Sequence, residues 1–424
     1  MNLLLQNKIL AQTARINEWI ESLEKDVPLF MSADIRDAGF KIASIDANLY
    51  PAGFNNLDVT FHALAAQNLA AALGRYGIAK GAKLLIVSEE HTRNLFYLEN
   101  IHALSSILTL GGFHTEITTQ FVIEGETYGP EGLALSSASG QKLSYLHPEK
   151  AAARANEFAA VVMNHDSSAG TADWVQKLSI PVLPAWQAGW HSRSKARHFE
   201  HYRNLMVDLG NIVGVDPWFF GALDRRITDT DINSDTARAQ IAATAEGLLK
   251  DIQARYDEYQ IKEKPFVFLK SDHGTYGMAM LSFDNAGEIL DINRKEKNKL
   301  FKGKSSVVVK DYLLQEGVPT IVRMQRDAGN ADVAGYYAES VMMLANNRFI
   351  GCFARVNEQK DARESLNSTG MFFKPLPAAD CDNAPTRVAE IITRVAGIAL
   401  QREICELVQA EAESRGIALP SKCL

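Results

Sequence analysis

The segment Pro265-Phe-Val-Phe-Leu-Lys270-Ser-Asp-His-Gly274-Thr-Tyr-Gly277-Met-Ala-Met280 constrains the fold of this chain more than any other. The apolar run Phe266 to Leu269 ends in a lysine and breaks into a loop with two glycines. A second apolar run, Met278 to Phe283, follows at once. This reads as strand, flexible turn, strand: a β-hairpin whose loop can fold down over a ligand. Glycine lets backbone N–H groups approach anionic phosphates, and a lysine at the strand end adds a point charge beside them. No Gly-Lys-Ser/Thr opens a helix here, so the loop is neither a Walker A motif nor a dinucleotide fingerprint. An ordinary hairpin with a glycine-containing turn accounts for the same residues.

At 424 residues the chain is too long for one ordinary core, and two or three domains or subdomains are expected. The net charge of −7 supplies no basic field, which argues against nucleic acid as the main partner. There is no apolar run of membrane-spanning length and no signal sequence, so no membrane partner is expected. Cys352, Cys381, Cys405 and Cys423 form no CxxC pair and no metal-ligand spacing, which fits a reduced, cytoplasmic setting.

Apolar positions at helical spacing predict a helix over residues 1 to about 25. Met31 to Leu57 is a polar passage rich in glycine and asparagine. Phe61 to Tyr76 reads as a helix closed by Gly77. The strand Lys83 to Val87 runs into the polar cluster Ser88 to Asn94 and a helix from Leu95 to Leu108. The strand Phe158 to Met163 runs into Asn164 to Gly170 and a helix. Strands alternating with helices, with polar clusters at strand ends, predict an α/β domain binding ligand at its strands' carboxyl ends. Further on, the pattern gives a helix over Asn204 to Val213, a connector over Asp216 to Asp235 and a long helix over Thr236 to Tyr259. Beyond the glycine hairpin it gives a strand over Tyr312 to Glu316 and a hairpin over Ser340 to Val356 turning at Asn346-Asn347. A terminal helix pair over Thr386 to Arg415 completes the chain.

Candidate chemistry clusters in the second half. The strand ending Gln315-Glu316-Gly317-Val318 suits an adenine site, with backbone groups on the base edge and an acidic side chain on a ribose or amino group; a routine strand end suits it too. Glu339, Glu364 and Asn367 bring carboxylate and amide oxygens to adjacent strands and a following loop, as Mg²⁺ shared with nucleotide phosphates requires. Arg355 and Arg363 add forks for phosphoryl oxygens.

The order Lys270, Gly274, Gly277, Gln315/Glu316, Glu339, Arg355, Glu364/Asn367 resembles the ATP-grasp scheme, and Arg363-Glu-Ser-Leu-Asn367 is similar to the end of glutathione synthetases. Ala279 stands where the loop's third glycine is usual. Over roughly residues 30 to 375 the chain resembles a small bacterial class of glutamate–cysteine ligases. The matching segments include Asp34-Ile-Arg36, Asp46-Ala-Asn48, Asn55-Asn56, Glu90-His91-Thr92-Arg93-Asn94, Gly189-Trp190-His-Ser-Arg193-Ser-Lys195 and Gln315-Glu316-Gly-Val-Pro-Thr320.

The resemblance implies an ATP-grasp-like α/β fold in three parts: an N-terminal α/β substrate domain (1–215), a lid subdomain (216–316, glycine loop 271–278) and a C-terminal α+β nucleotide and metal subdomain (317–424). It implies ATP and Mg²⁺, with ATP phosphorylating the side-chain carboxylate of glutamate and cysteine attacking the acyl phosphate. Lys270, Arg355 and Arg363 are then the catalytic cations. Lys270, Gly274, Thr275, Tyr276, Gly277, Gln315, Glu316 and Val318 hold the nucleotide, and Glu339, Glu364 and Asn367 hold the metal. Arg36, Lys41 or Arg93 would take the glutamate α-carboxylate and Asp46 or Glu90 its ammonium. Asn48, Asn55, Asn56 and Asn94 would orient an amino acid, and His91 would serve as a base or a cap. Another ATP-dependent carboxylate–amine ligase, a plain phosphotransferase or a non-catalytic nucleotide-binding regulator would use the same nucleotide residues. Oligomeric state is not legible.

Overall fold

The computed structural model describes residues 1, 3–91, 93–273, 280–301, 309–326 and 335–417, which form three sheets. Lys83–Ser88 is central to a six-stranded sheet and runs parallel to His114–Thr119 on one side and Ala160–Asn164 on the other. Leu84 to Ser88 are all buried, the continuous apolar run of a strand covered on both faces. The chain goes to one neighbour through the helix Leu95–Leu110 and reaches the other later. The loops after Ser88 and Asn164 therefore open a crevice at the carboxyl ends.

The second sheet, the lid sheet, is antiparallel: Met280–Phe283, Val267–Ser271, Tyr312–Glu316 and Asp224–Ile227, in that order. The helix Asp235–Glu258 seals one face with Ile241, Ala245, Leu248 and Ile252, one apolar stripe at helical spacing.

The third, the site sheet, joins the two ends of the chain. The hairpin Phe30–Asp37 and Ile42–Asn48 pairs with Tyr336–Ala345, which continues through Arg348–Asn357 to Met371–Pro375. Asn346 and Asn347 make its predicted turn, both with positive φ (54° and 55°), a conformation asparagine tolerates.

Several elements differ from the sequence reading. The polar passage from Met31 forms two strands, because one face lines a polar cleft and the apolar alternation is lost. The first helix is two, Leu3–Leu10 and Thr13–Leu23. The helix read from Asn204 begins at Lys195, capped by the Ser194 hydroxyl. The connector after Asp216 contributes a lid strand. The terminal pair is one helix, Ala384–Arg415, capped by the Asn383 side chain and closed by Gly416 at φ 62°. The sheets do not follow the three sequence segments one for one: residues 30–48 share a sheet with 336–375.

Candidate active site

The site sheet and the lid strand Val267–Ser271 enclose a cleft made of two cavities. The smaller, about 50 Å³, is lined by Asp34, Arg36, Asp46, Lys195, Lys270, Glu339, Arg355 and Asn367, among others. The larger, about 600 Å³, takes its polar wall from Asn48, Asn55, Asn56 and Asn94, and its aromatic wall from Phe96, Trp190, Phe353 and Phe372. Asp34, Asp46, Arg355 and Asn367 line both, so the two spaces are continuous. Strand periodicity puts these side chains together. Asp34 and Arg36 alternate onto one face, as do Asp46 and Asn48, and Asp34 lies opposite Asp46 while Glu339 lies opposite Arg355.

Charge in the small cavity is tightly arranged. Arg355 donates to Asp34 at 2.6 Å and to Glu339 at 2.5 Å, and Arg36 Nε donates to the second Glu339 oxygen at 2.7 Å. Burial would raise the pKa of Glu339, but the two guanidiniums outweigh it and hold the carboxyl below its ordinary range. At Asp34 burial prevails over Arg355, and nearby Glu339 adds to the rise. Burial also opposes ionisation of Asp46, where Lys195 and Lys270 win and the pKa falls. Lys195 Nζ stands 3.1 Å from Asp46 and 4.2 Å over the Trp190 ring. Lys270 donates to the Ile45 carbonyl at 3.0 Å and to Gln315 Oε1 at 2.7 Å. Burial lowers its pKa to about 8 against the pull of Asp46.

A buried lysine and paired arginines face carboxylate and amide oxygens, an arrangement whose chemistry suits a polyanion and a hard cation. A family model described as glutamate-cysteine ligase matches residues 6–404. The chain belongs to the glutamate–cysteine ligase family. It is accordingly a ligase. The crystal structure of a protein assigned as γ-glutamylcysteine synthetase from Methylobacillus flagellatus superposes with a TM-score of 0.81 at 29% identity, covering 95% of this chain and 96% of the other. D-alanyl-alanine synthetase A from Vibrio cholerae is far less similar, with a TM-score of 0.34 at 10% identity over 76% of this chain and 82% of that one. A glutathione synthetase-like effector from Globodera pallida also gives 0.34, at 12% identity over 84% of this chain and 77% of that one. No curated protein matches the sequence.

Within this glutamate–cysteine ligase family member, the structure gathers some of the expected residues and separates others. Lys270, Arg355, Glu339, Asn367, Arg36 and Asp46 line the small cavity; Asn48, Asn55, Asn56 and Asn94 line the large one. Asn48 also folds back onto Tyr50, and Asn94 caps a helix by accepting from the Tyr97 amide. Gly274, Thr275, Tyr276 and Gly277 lie outside the described residues.

The remaining expectations need correction. Lys41 is buried against Glu316 at 2.8 Å and sits over the Trp218 ring, outside the cleft. Glu316 also accepts from Trp218 Nε1 and the Leu223 amide, so its carboxylate is engaged at the base of the lid sheet and lines neither cavity. Gln315 Oε1 accepts from Lys270 and the Val318 carbonyl from Arg36, and neither residue lines either cavity. Arg363 turns away to the Lys264 carbonyl and Asp284, stacked on Phe266. The Glu364 carboxylate is taken by Lys360 and the Asp361 amide, and only its carbonyl meets Arg36. Glu90 binds His165 and the Phe121 amide, His91 binds Glu89, and Arg93 is exposed; none lines either cavity.

Asp34 and Lys195, which also line the cleft, were given no ligand role from the sequence, whereas Trp190 to Phe199 reads there as a basic helix face whose tryptophan and histidines can wall a site. The placement of Lys195 depends on the terminal helix, whose Glu403 binds Arg193 at 3.0 Å and the Ser194 amide at 3.1 Å.

Proposed function

We propose that the cleft binds ATP and Mg²⁺ and joins the γ-carboxylate of glutamate to the amine of cysteine through a γ-glutamyl phosphate. The observation that carries this reading is Lys270: a buried lysine at the foot of the glycine loop, sharing a small polar cavity with Arg355 and Asp46. Lys270 would neutralise the transferring phosphoryl group, and Arg355 would exchange a carboxylate partner for a phosphoryl oxygen. Asp34, Asp46, Glu339 and Asn367 present oxygens to one cavity, a donor set that suits Mg²⁺. When bound, the ion supplies positive charge beside the triphosphate.

In this scheme a glutamate carboxylate oxygen bonds to the γ-phosphorus and ADP leaves. The cysteine nitrogen then bonds to the acyl carbon, phosphate leaves with the C–O electron pair, and the nitrogen loses its proton. The large cavity exceeds one amino acid and accommodates both substrates side by side. Its asparagine wall offers neutral hydrogen bonds, and Asn55 Oδ1 has no partner among the described residues. The acyl phosphate requires a site closed to water, a role for the glycine loop.

The decisive assay is ADP and phosphate release by purified protein with ATP, Mg²⁺ and glutamate, with and without cysteine. Hydroxylamine should trap γ-glutamyl hydroxamate, and the complete mixture should yield γ-glutamylcysteine by mass. Release that ignores every amino acid, or transfer without a trappable acyl group, contradicts the reading.

A further inference from the structure

Among the described residues lining the small cavity, the ionisable side chains do not balance. Arg36, Lys195, Lys270 and Arg355 face Asp34, Asp46 and Glu339, leaving one positive charge in excess. Arg36 and Arg355 are committed to Glu339 and Asp34. The hydrogen bonds of Lys270 go to neutral oxygens. The two lysines thus share a single carboxylate, Asp46, which is paired with Lys195, attracted by the charge of Lys270 and itself partly open. An uncompensated buried cation is costly unless an anion joins it.

Lys195 is the lysine on the substrate side of this pair. It lines the small cavity, while its stacking partner Trp190 lines the large one, so its ammonium stands where the two spaces meet. It is 8% exposed, and its backbone is fixed from two directions. Ser194 caps the helix that begins at Lys195, and Glu403 holds Arg193 and the Ser194 amide. Asp272, two residues beyond Lys270, accepts from the Ser194 hydroxyl and the Ala196 amide, while its carbonyl accepts from the Lys195 amide. The first amides of this helix are therefore occupied, and the lysine head group is what the segment offers to a ligand.

We infer that Lys195 receives the reacting side-chain carboxylate of the acid substrate and holds it toward the phosphoryl donor at Lys270, exchanging its partner Asp46 for the substrate. The inference rests on the ligase reading above and assigns the position of one substrate within it. A lysine fits this role, because a compact charge on a flexible stem can follow the carboxylate as it becomes an acyl phosphate. Trp190 keeps that stem against an aromatic face and limits the positions open to the ammonium.

The experiment compares wild type with Lys195→Met and Lys195→Arg in steady state, varying glutamate, ATP and cysteine separately. Loss of a charge on the reacting carboxylate should lower kcat/KM for glutamate by about 100-fold and leave the KM for ATP within about two-fold. Lys195→Arg should recover a substantial part. A binding measurement gives a second readout: glutamate raises the thermal midpoint of wild type and of Lys195→Arg but not of Lys195→Met, while ADP with Mg²⁺ raises all three. Equal losses toward ATP and glutamate, an unchanged glutamate requirement, or an undiminished glutamate-induced midpoint shift in Lys195→Met would overturn the inference. If Lys195→Met does not fold, Lys195→Gln takes its place in both measurements. Should wild type ignore glutamate yet release phosphate with aspartate or 2-aminoadipate, the glutamate reading fails, and the same comparison with the accepted acid decides the role of Lys195.

Discussion

Burial draws the Lys270 ammonium down from 10.5 to about 8, with Asp46 opposing the shift. Between those values the unfolded chain binds a proton that the native site releases, so this group's contribution to stability rises with pH across that window. Below about pH 8 the native protein carries a charged buried lysine at a cost. Phosphates arriving beside it should raise the pKa again. ADP or a non-hydrolysable ATP analogue should therefore bind at pH 8.5 with proton uptake, measured as a difference in calorimetric heat between buffers of unlike ionisation enthalpy. Lys270→Ala should abolish that difference and lower turnover at least about 100-fold; proton release, or unchanged turnover, would remove the lysine from the mechanism. That Lys270, Glu339 and Arg355 come together was legible in the sequence, because their order along the chain is itself a pattern. Asp34 and Lys195 were not, since each owes its place to partners far away in the chain. Lys41, Arg363 and Glu316 lie away from the cavities for the converse reason: their residue types suit ligands, but folding brings each of them a protein partner.

At the level of elements, the N-terminal hairpin and the terminal helix do most to build the cleft, and both were read imperfectly. Strands 30–37 and 42–48 carry Asp34, Arg36, Asp46 and Asn48, and such polar strands escape any search for apolar alternation. The hairpin at Asn346-Asn347 was plain because its turn chemistry is local. Arg36 clamps the N-terminal hairpin to Glu339, to the Val318 carbonyl and to the Glu364 carbonyl. Arg36→Ala leaves a buried carboxylate short of a partner and should cost about 3–5 kcal/mol in denaturant unfolding. Full stability with a selective rise in the glutamate requirement would instead make Arg36 a substrate ligand. Gly397 lets the terminal helix settle on the hairpin turn: a Cβ there would stand 2.2 Å from Asn347 Oδ1. Alanine favours helix by about 1 kcal/mol, yet overpacking costs about 1–3 kcal/mol. Gly397→Ala should therefore lower the unfolding midpoint, and a higher midpoint would show that the turn yields without strain.

Over the whole molecule, a mostly parallel sheet with its crevice, a lid sheet and a site sheet meet around one cleft. Family membership covers residues 6–404, so the chemistry belongs to nearly all of the described structure. The sequence foretold the alternating strands and helices of the first half and the lid hairpin. It did not foretell that the first fifty residues complete the last sheet, because strand pairing across some three hundred residues leaves no local trace. Catalysis of the proposed kind requires the lid strand and the site sheet to clasp a nucleoside triphosphate between them. A crystal structure with ADP and Mg²⁺ tests this most directly. The diphosphate should lie in the small cavity, within hydrogen-bonding distance of Lys270 and Arg355, with the ion on oxygens from among Asp34, Asp46, Glu339 and Asn367. A nucleotide bound elsewhere, or Lys270 still bonded only to Ile45 and Gln315 with the cavity closed, would contradict it.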